Sequence, residues 1–295
     1  MRAILPKLLP VDFKSKVVPA MPEHEYHATH DFVSSSGLKA MRKSPLHFID
    51  YLEMNQSGYS KKDTDAMKFG RLCHAAVLEP KRMKENSVVQ PDFGDFRSEA
   101  NRDNRDAWLA TRGANEIVLT QDELSGVTRV ANAVLGHKEI ASLLQHQDTV
   151  FEHSFFYRHP ETGIGVRARV DVFNPTLGLI IDLKTASNVD PGNFSRAIAT
   201  YSYHLQAAAY IQAVSDCTGV RLNDYRFIAV ESSSPNSVVL YKLDEAALDY
   251  GTAEHDMALK FLAACLQSGQ WPGYQSFAGE TISLPQYIFN KALEF

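Results

Sequence analysis

The segment LGLIIDLKT, residues 177–185, constrains the fold more than any other stretch of the chain. It is too apolar for a surface strand, yet Asp182 and Lys184 interrupt it at a spacing of two. A strand alternates its side chains, so Asp182 and Lys184 share one face with Ile180, while Ile181 and Leu183 point the other way into a core. The expected result is a strand in a buried sheet with a carboxylate and an ammonium side by side at its end. Two strand-like stretches precede it, TVFEHSFFY at 149–157 and GVRARVDVF at 165–173, with turn residues between them. The three predict an antiparallel meander.

Around the meander the pattern is helical. Ser34, Ser35 and Ser36 offer cap oxygens to a helix beginning near Gly37, and Pro45 begins another. Residues 65–79 carry apolar side chains at helical spacing up to Pro80, and His74 lies on that helix. Residues 90–115 are polar and predict a loop with a short helix. Thr120 and Glu123 form a capping box for one helix running to about Gln145. After the meander come helices at 191–199 and 203–216, strands at 225–231 and 237–242, and a long helix from Asp244 to Gln267. This order predicts an α/β (α+β) fold with a mixed central sheet flanked by helices. Residues 1–30, with four prolines, predict an extended N-terminal arm, and residues 31–295 a single domain.

Composition narrows the function classes. The 295 residues, 44% of them hydrophobic, suffice for a large core, and the formal net charge of −5 supplies no global attraction for nucleic acid. Any DNA site must be local. Cys73, Cys217 and Cys265 have neither zinc-ligand spacing nor the number an iron–sulfur cluster needs, so none is expected. With no signal-peptide core and no apolar run of about 20 residues, the expectation is a cytoplasmic protein without a membrane partner.

The chemistry gathers on the meander. Asp171 sits near the end of the second strand, and the short connection at 174–178 brings it beside Asp182. Two converging carboxylates repel unless a cation lies between them, and oxygen ligands favour magnesium or manganese. Lys184 beside such a cation completes a hydrolytic arrangement. A lone DxK, however, is also what a solvated strand end looks like. Gln206 and Tyr210 share a helix face, and Arg167, Arg169 and Asp171 share strand parity, which makes Arg169, with Arg167 and Arg71, a candidate phosphate contact.

Taken in order, Gly70 to His74, Asp171, Asp182 to Lys184, and Gln206 to Tyr210 resemble the GxxxH, D, (D/E)xK and QxxxY motifs of the RecB-like branch of the PD-(D/E)xK nucleases. The likeness is closer to the nuclease domain of RecE-type exonucleases, also called exonuclease eight. It extends over SSSGLKAMRKSPLHF, FGRLCHAAVLEP, RARVDVF, IIDLKTAS, YHLQAAAY, IAVESSSP and SLPQYIF. Val170 stands where the family commonly has proline before the first aspartate. The resemblance implies a restriction-endonuclease-like core and a magnesium-dependent, ATP-independent 5'-to-3' exodeoxyribonuclease acting on linear double-stranded DNA, with manganese able to substitute. It implies a metal held by His74, Asp171, Asp182 and the Leu183 carbonyl, a Lys184 that holds or helps to deprotonate a bound water, a role that a lysine of lowered pKa can take, and Gln206 and Tyr210 positioning Lys184 or a phosphate. It also implies a homo-tetrameric ring and a RecT-type single-strand annealing partner, in phages or prophages. An endonuclease, or a catalytically inactive DNA-binding or assembly module of the same fold, remains open at this stage.

Overall fold

The computed structural model describes residues 13–56, 64–113, 116–222, 224–274, 281–286 and 288–289. The elements, in chain order, begin with β1 (Lys16–Val18), α1 (Glu23–Ala28), β2 (Val33–Ser34), α2 (Ser35–Lys43), α3 (Pro45–Gln56), α4 (Asp65–Leu78) and α5 (Pro80–Asn86). There follow β3 (Ser87–Val89), α6 (Glu99–Ala110), β4 (Ile117–Leu119), α7 (Gln121–Gly136) and α8 (Lys138–Leu144). The second half holds β5 (Val150–Arg158), β6 (Gly165–Asn174), β7 (Leu179–Ala186), α9 (Pro191–Thr200), α10 (Tyr203–Thr218), β8 (Asp224–Glu231), β9 (Val238–Lys242) and α11 (Glu245–Ser268).

The central sheet runs β1-β5-β6-β7-β8-β9, with β2 pairing β6 in parallel beside this path. The meander β5-β6-β7 is antiparallel throughout, as the alternation predicts. β7 and β8 are parallel, and α9 and α10 make the crossover between them. Both faces of the sheet are covered, which explains why LGLIIDLKT is apolar on both parities. Ile180, Val166 and Phe227 pack with Leu205 and Ala213 of α10, Leu38 of α2 and Leu259 of α11. Ile181, Leu183 and Ile228 pack on the opposite face with Leu72 and Val77 of α4 and Val130 of α7. No helix among the described residues is long and apolar enough to cross a membrane.

Several expectations change. The first twelve residues of the expected arm, and Tyr287 in SLPQYIF, lie outside the described residues. From Lys16 onward the arm is not merely extended, because β1 pairs with β5 and α1 buries Tyr26 against the sheet. Three residues of edge strand and a six-residue helix carry too little periodicity to show in sequence. The same holds for the small parallel pair β3–β4. The helix expected from Thr120 to Gln145 breaks at His137, whose extended backbone lets its ring accept the Ile140 N–H and cap α8. The capping box at Thr120 and Glu123 is present with both bonds. Glu79 rather than Pro80 interrupts the chain after α4, and Pro80 then occupies the first turn of α5, where its missing N–H costs nothing.

Candidate active site

The site lies at a fork between β6 and β7. Their ladder pairs Asn174 with Leu179, Phe173 with Ile180 and Val172 with Ile181, and stops there. The next pair would set Asp171 against Asp182. Instead the strands part, and the Leu183 N–H donates to Asp171 Oδ2 at 2.9 Å. The strand alternation also slips here. Val166, Ala168 and Val170 face the α10 layer, whereas Val172, of the same parity, faces the α4 layer. β5 slips alongside at Glu152, whose φ is +52°, in the left-handed region that non-glycine residues rarely adopt. Arg167 and Arg169 therefore do not share a simple face with Asp171.

Three helices bring their side chains to the fork. Gly70 and His74 are one turn apart on α4 and both face β7, where a Cβ on residue 70 would stand 3.2 Å from Thr185 Oγ1. Glycine lets the helix lie close enough for His74 Nε2 to reach within 2.6 Å of the Leu183 carbonyl oxygen, with Nδ1 3.5 Å from Asp171 Oδ2. From α10, Gln206 Nε2 donates to Asp182 Oδ1 at 2.9 Å. From α2, Lys39 donates to the other end of the same amide, Gln206 Oε1, at 3.1 Å. Lys184 Nζ lies 2.6 Å from Asp182 Oδ2.

The electrostatics fit a divalent cation. Burial, and then the negative charge of Asp182, push Asp171 up to about 7. Glu152 is also raised to about 7, by burial and then by Asp171, although Arg169 opposes the shift. His74, Glu152 and Asp171 place one ligand atom each within 4.8 Å of one another. Carboxylates held together out of water at this cost are what a cation relieves, and it is His74, Glu152 and Asp171 that converge, while Asp182 already holds Gln206 on Oδ1 and Lys184 on Oδ2. Sequence reasoning missed Glu152. In EHSFF it looks like an outward polar residue, and the positive φ that turns it inward has no local signal.

Other expectations need revision. Burial works to lower the Lys184 pKa, but Asp182 and Asp171 together hold it above the ordinary lysine value, so Lys184 is not a lysine of lowered pKa. The lysine that is lowered, to about 8, is Lys39, through burial and then the charge of Lys184. Gln206 holds Asp182 rather than Lys184. Tyr210 lines the groove that opens beside Lys184, and burial drives its hydroxyl well above the usual tyrosine value. Arg167 is only 7% exposed, and it spends Nη1 on the carbonyls of Tyr26, His27 and Thr29 and on Thr29 Oγ1. It secures the N-terminal segment and is not a phosphate contact. Arg169 lines the groove, but its Nε pairs with Glu152 at 2.6 Å and its Nη1 with the Met21 carbonyl. Arg71 is exposed on α4 and lines the groove.

The fork opens at the base of a groove of about 1830 Å³, well beyond the roughly 300–1,000 Å³ typical of a small-molecule site. Its cations interleave with acids, as in the pairs Lys68–Glu123 and Arg82–Glu79.

A mixed sheet forked between an Asp strand and a DxK strand, with a helix-borne histidine over the fork, defines the PD-(D/E)xK class of fold. Residues 34–281 match the family described as PDDEXK-like domain of unknown function (DUF3799), and the chain belongs to that family. No curated protein sequence matches it. Among solved structures, a candidate exonuclease from Eubacterium rectale superposes with a TM-score of 0.59 at 12% identity, covering 94% of this chain and 99% of its own. At that identity the likeness concerns the fold. A phage-related exonuclease from Haemophilus somnus 129PT is 13% identical over 81% of this chain and 96% of its own, with a TM-score of 0.33, too low to carry an argument.

Proposed function

We propose that this chain is a metal-dependent nuclease that hydrolyses phosphodiester bonds in DNA, and that its natural substrate is the end of a linear duplex. The fork carries this reading, since it holds Asp182 buried against Lys184 and sets Asp171 and Lys184 in the lining of an open groove. Asp171, Asp182, His74 and the Leu183 carbonyl would hold magnesium or manganese, with Glu152 close enough to His74 and Asp171 to join them. The cation supplies charge neutralisation at the scissile phosphate and a more acidic water. Lys184, kept protonated by its two acids, donates hydrogen bonds to the attacking water and to a phosphate oxygen. Gln206, pinned by Lys39, stops Asp182 from rotating away. These tasks are positional and electrostatic, as expected where the reacting groups belong to the substrate and solvent.

The finer reading is a 5'-to-3' exodeoxyribonuclease, independent of ATP, that leaves 3' single strands, working as a tetrameric ring with a RecT-type annealing protein. It is supported by the RecE-like motifs along the chain. The deciding experiment digests linear duplex labelled separately at each 5' and 3' end, alongside closed circular duplex, in magnesium, manganese or chelator. The expected outcome is early loss of the 5' label, intact circles and no cutting in chelator. Cut circles would make the protein an endonuclease. An inert protein in both metals would leave a DNA-binding or assembly module.

A further inference from the structure

Between α9 and α10 the chain turns through a single left-handed residue, Ser202, at φ 51° and ψ 49°. On a continuous helix Tyr201 and Tyr203, two apart, would point to roughly opposite sides. Ser202 reverses this, and the two rings stack at 5.6 Å between centroids and 30° between planes. The turn is secured from three helices. Arg42 of α2 donates to Ser202 Oγ at 2.7 Å and pairs with Glu254 of α11 at 2.9 Å, and Glu254 in turn holds His204 of α10 at 2.8 Å. A strained non-glycine turn persists only where its surroundings over-determine it, and such turns concentrate at functional sites.

The two rings differ in their surroundings. Tyr203 is half-buried, with Lys184 Nζ 4.9 Å and Lys39 Nζ 5.5 Å from its centroid, so the inner ring is tied to the reactive end of the site. Tyr201 is 59% exposed and lines the groove together with Arg196. The chain thus presents a flat aromatic surface one ring away from Lys184, in the lining of the groove that also carries Arg196 and Lys184.

We propose that Tyr201, backed by Tyr203, is a stacking platform for one unpaired nucleobase at a DNA end, adjacent to the phosphodiester held at Asp182 and Lys184. This rests on the nuclease reading. A base inside a duplex has both faces covered by its neighbours, so only a frayed or overhanging base offers a free face, and a single tyrosine ring matches one base rather than a pair. Stacking is tolerant of sequence because every base has a π-face. The platform would make the enzyme prefer ends that are already partly open.

The test uses the intact protein with calcium in place of magnesium, and duplexes carrying 2-aminopurine either in a three-nucleotide overhang or within a blunt duplex. Wild-type protein and Tyr201→Phe should quench the overhang fluorophore and bind that duplex about tenfold more tightly than Tyr201→Ala does, while leaving the internal fluorophore unchanged. The platform is overturned if Tyr201→Ala quenches and binds like wild type, or if Tyr201→Phe loses as much as Tyr201→Ala. It is also overturned if Tyr201→Ala changes only self-association in sedimentation, which would make Tyr201 a contact between copies. Cutting in magnesium is scored separately. Tyr201-dependent quenching without any cutting would remove the nuclease reading and leave the platform. Cutting without Tyr201-dependent quenching would remove the platform alone.

Discussion

Lys184 keeps its proton because two carboxylates surround it, and those carboxylates are strained in turn by each other. Asp171 and Glu152, both raised to about 7, favour their neutral forms in the folded protein. A carboxyl group whose folded pKa exceeds its unfolded value contributes stability that is complete below pH about 4 and is lost as the pH rises through about 7. A cation binds the ionised groups and reverses that loss. In chelator the melting temperature should therefore fall between pH 5 and pH 8. Magnesium or manganese should raise it more at pH 8 than at pH 5, and Asp182→Asn should shrink the rise. Equal rises at both pH values would show that these acids are not the ligands. Lys184→Met should leave the cation effect largely in place while cutting of linear duplex falls by about two or more orders of magnitude, the scale set by losing one preorganised donor at a developing charge.

Elements act here through how closely they approach. α10 carries Gln206 and is crossed by α11 at Gly251, where a Cβ would lie 2.3 Å from the His204 carbonyl oxygen. Gly251→Ala must push the helices apart, which should cost roughly 1–3 kcal/mol in urea denaturation and weaken manganese binding by shifting Gln206, two residues along. Gly136→Ala, whose Cβ meets nothing within 4 Å, is the control and should cost nothing measurable. What could be read beforehand follows the same division between local and long-range forces. β5, β6 and β7 showed in their alternation, α7 in its capping box, and Asp182 and Lys184 in their parity, all consequences of near neighbours in the chain. Glu152 escaped notice because its inward turn depends on a slip shared by two strands. Arg167 was misread as a phosphate contact because its acceptors lie about 140 residues away on a segment too short to show its own structure. Lys39 reaches Gln206 only because α2 packs against α10, a contact between residues 167 apart in the chain.

At the scale of the whole molecule, the N-terminal segment, read from its prolines as an extended arm, adds an edge strand to the sheet. β1 covers the outer edge of β5, Tyr26 packs beside Phe156, and the guanidinium of Arg167 lies 4.8 Å from the Tyr26 ring while bonding to the backbone around it. Arg169 reaches Met21 from the same strand that supplies Asp171. The segment thus pins β6 just before the fork. Removing residues 1–30 takes away both the acceptors of Arg167 and the Tyr26 ring that covers it, and a hydrogen bond to a charged group is worth about 1.5–3 kcal/mol. The truncated protein should accordingly unfold at markedly lower urea concentration, and its cation-dependent rise in melting temperature should diminish because β6 no longer holds Asp171 in place. Arg167→Met in the full chain separates the two contributions. It removes the charge and keeps β1, so it should recover part of the stability that truncation loses. If truncation changes neither the urea midpoint nor the cation effect, the segment is a passive cover and the fork is held by the meander alone.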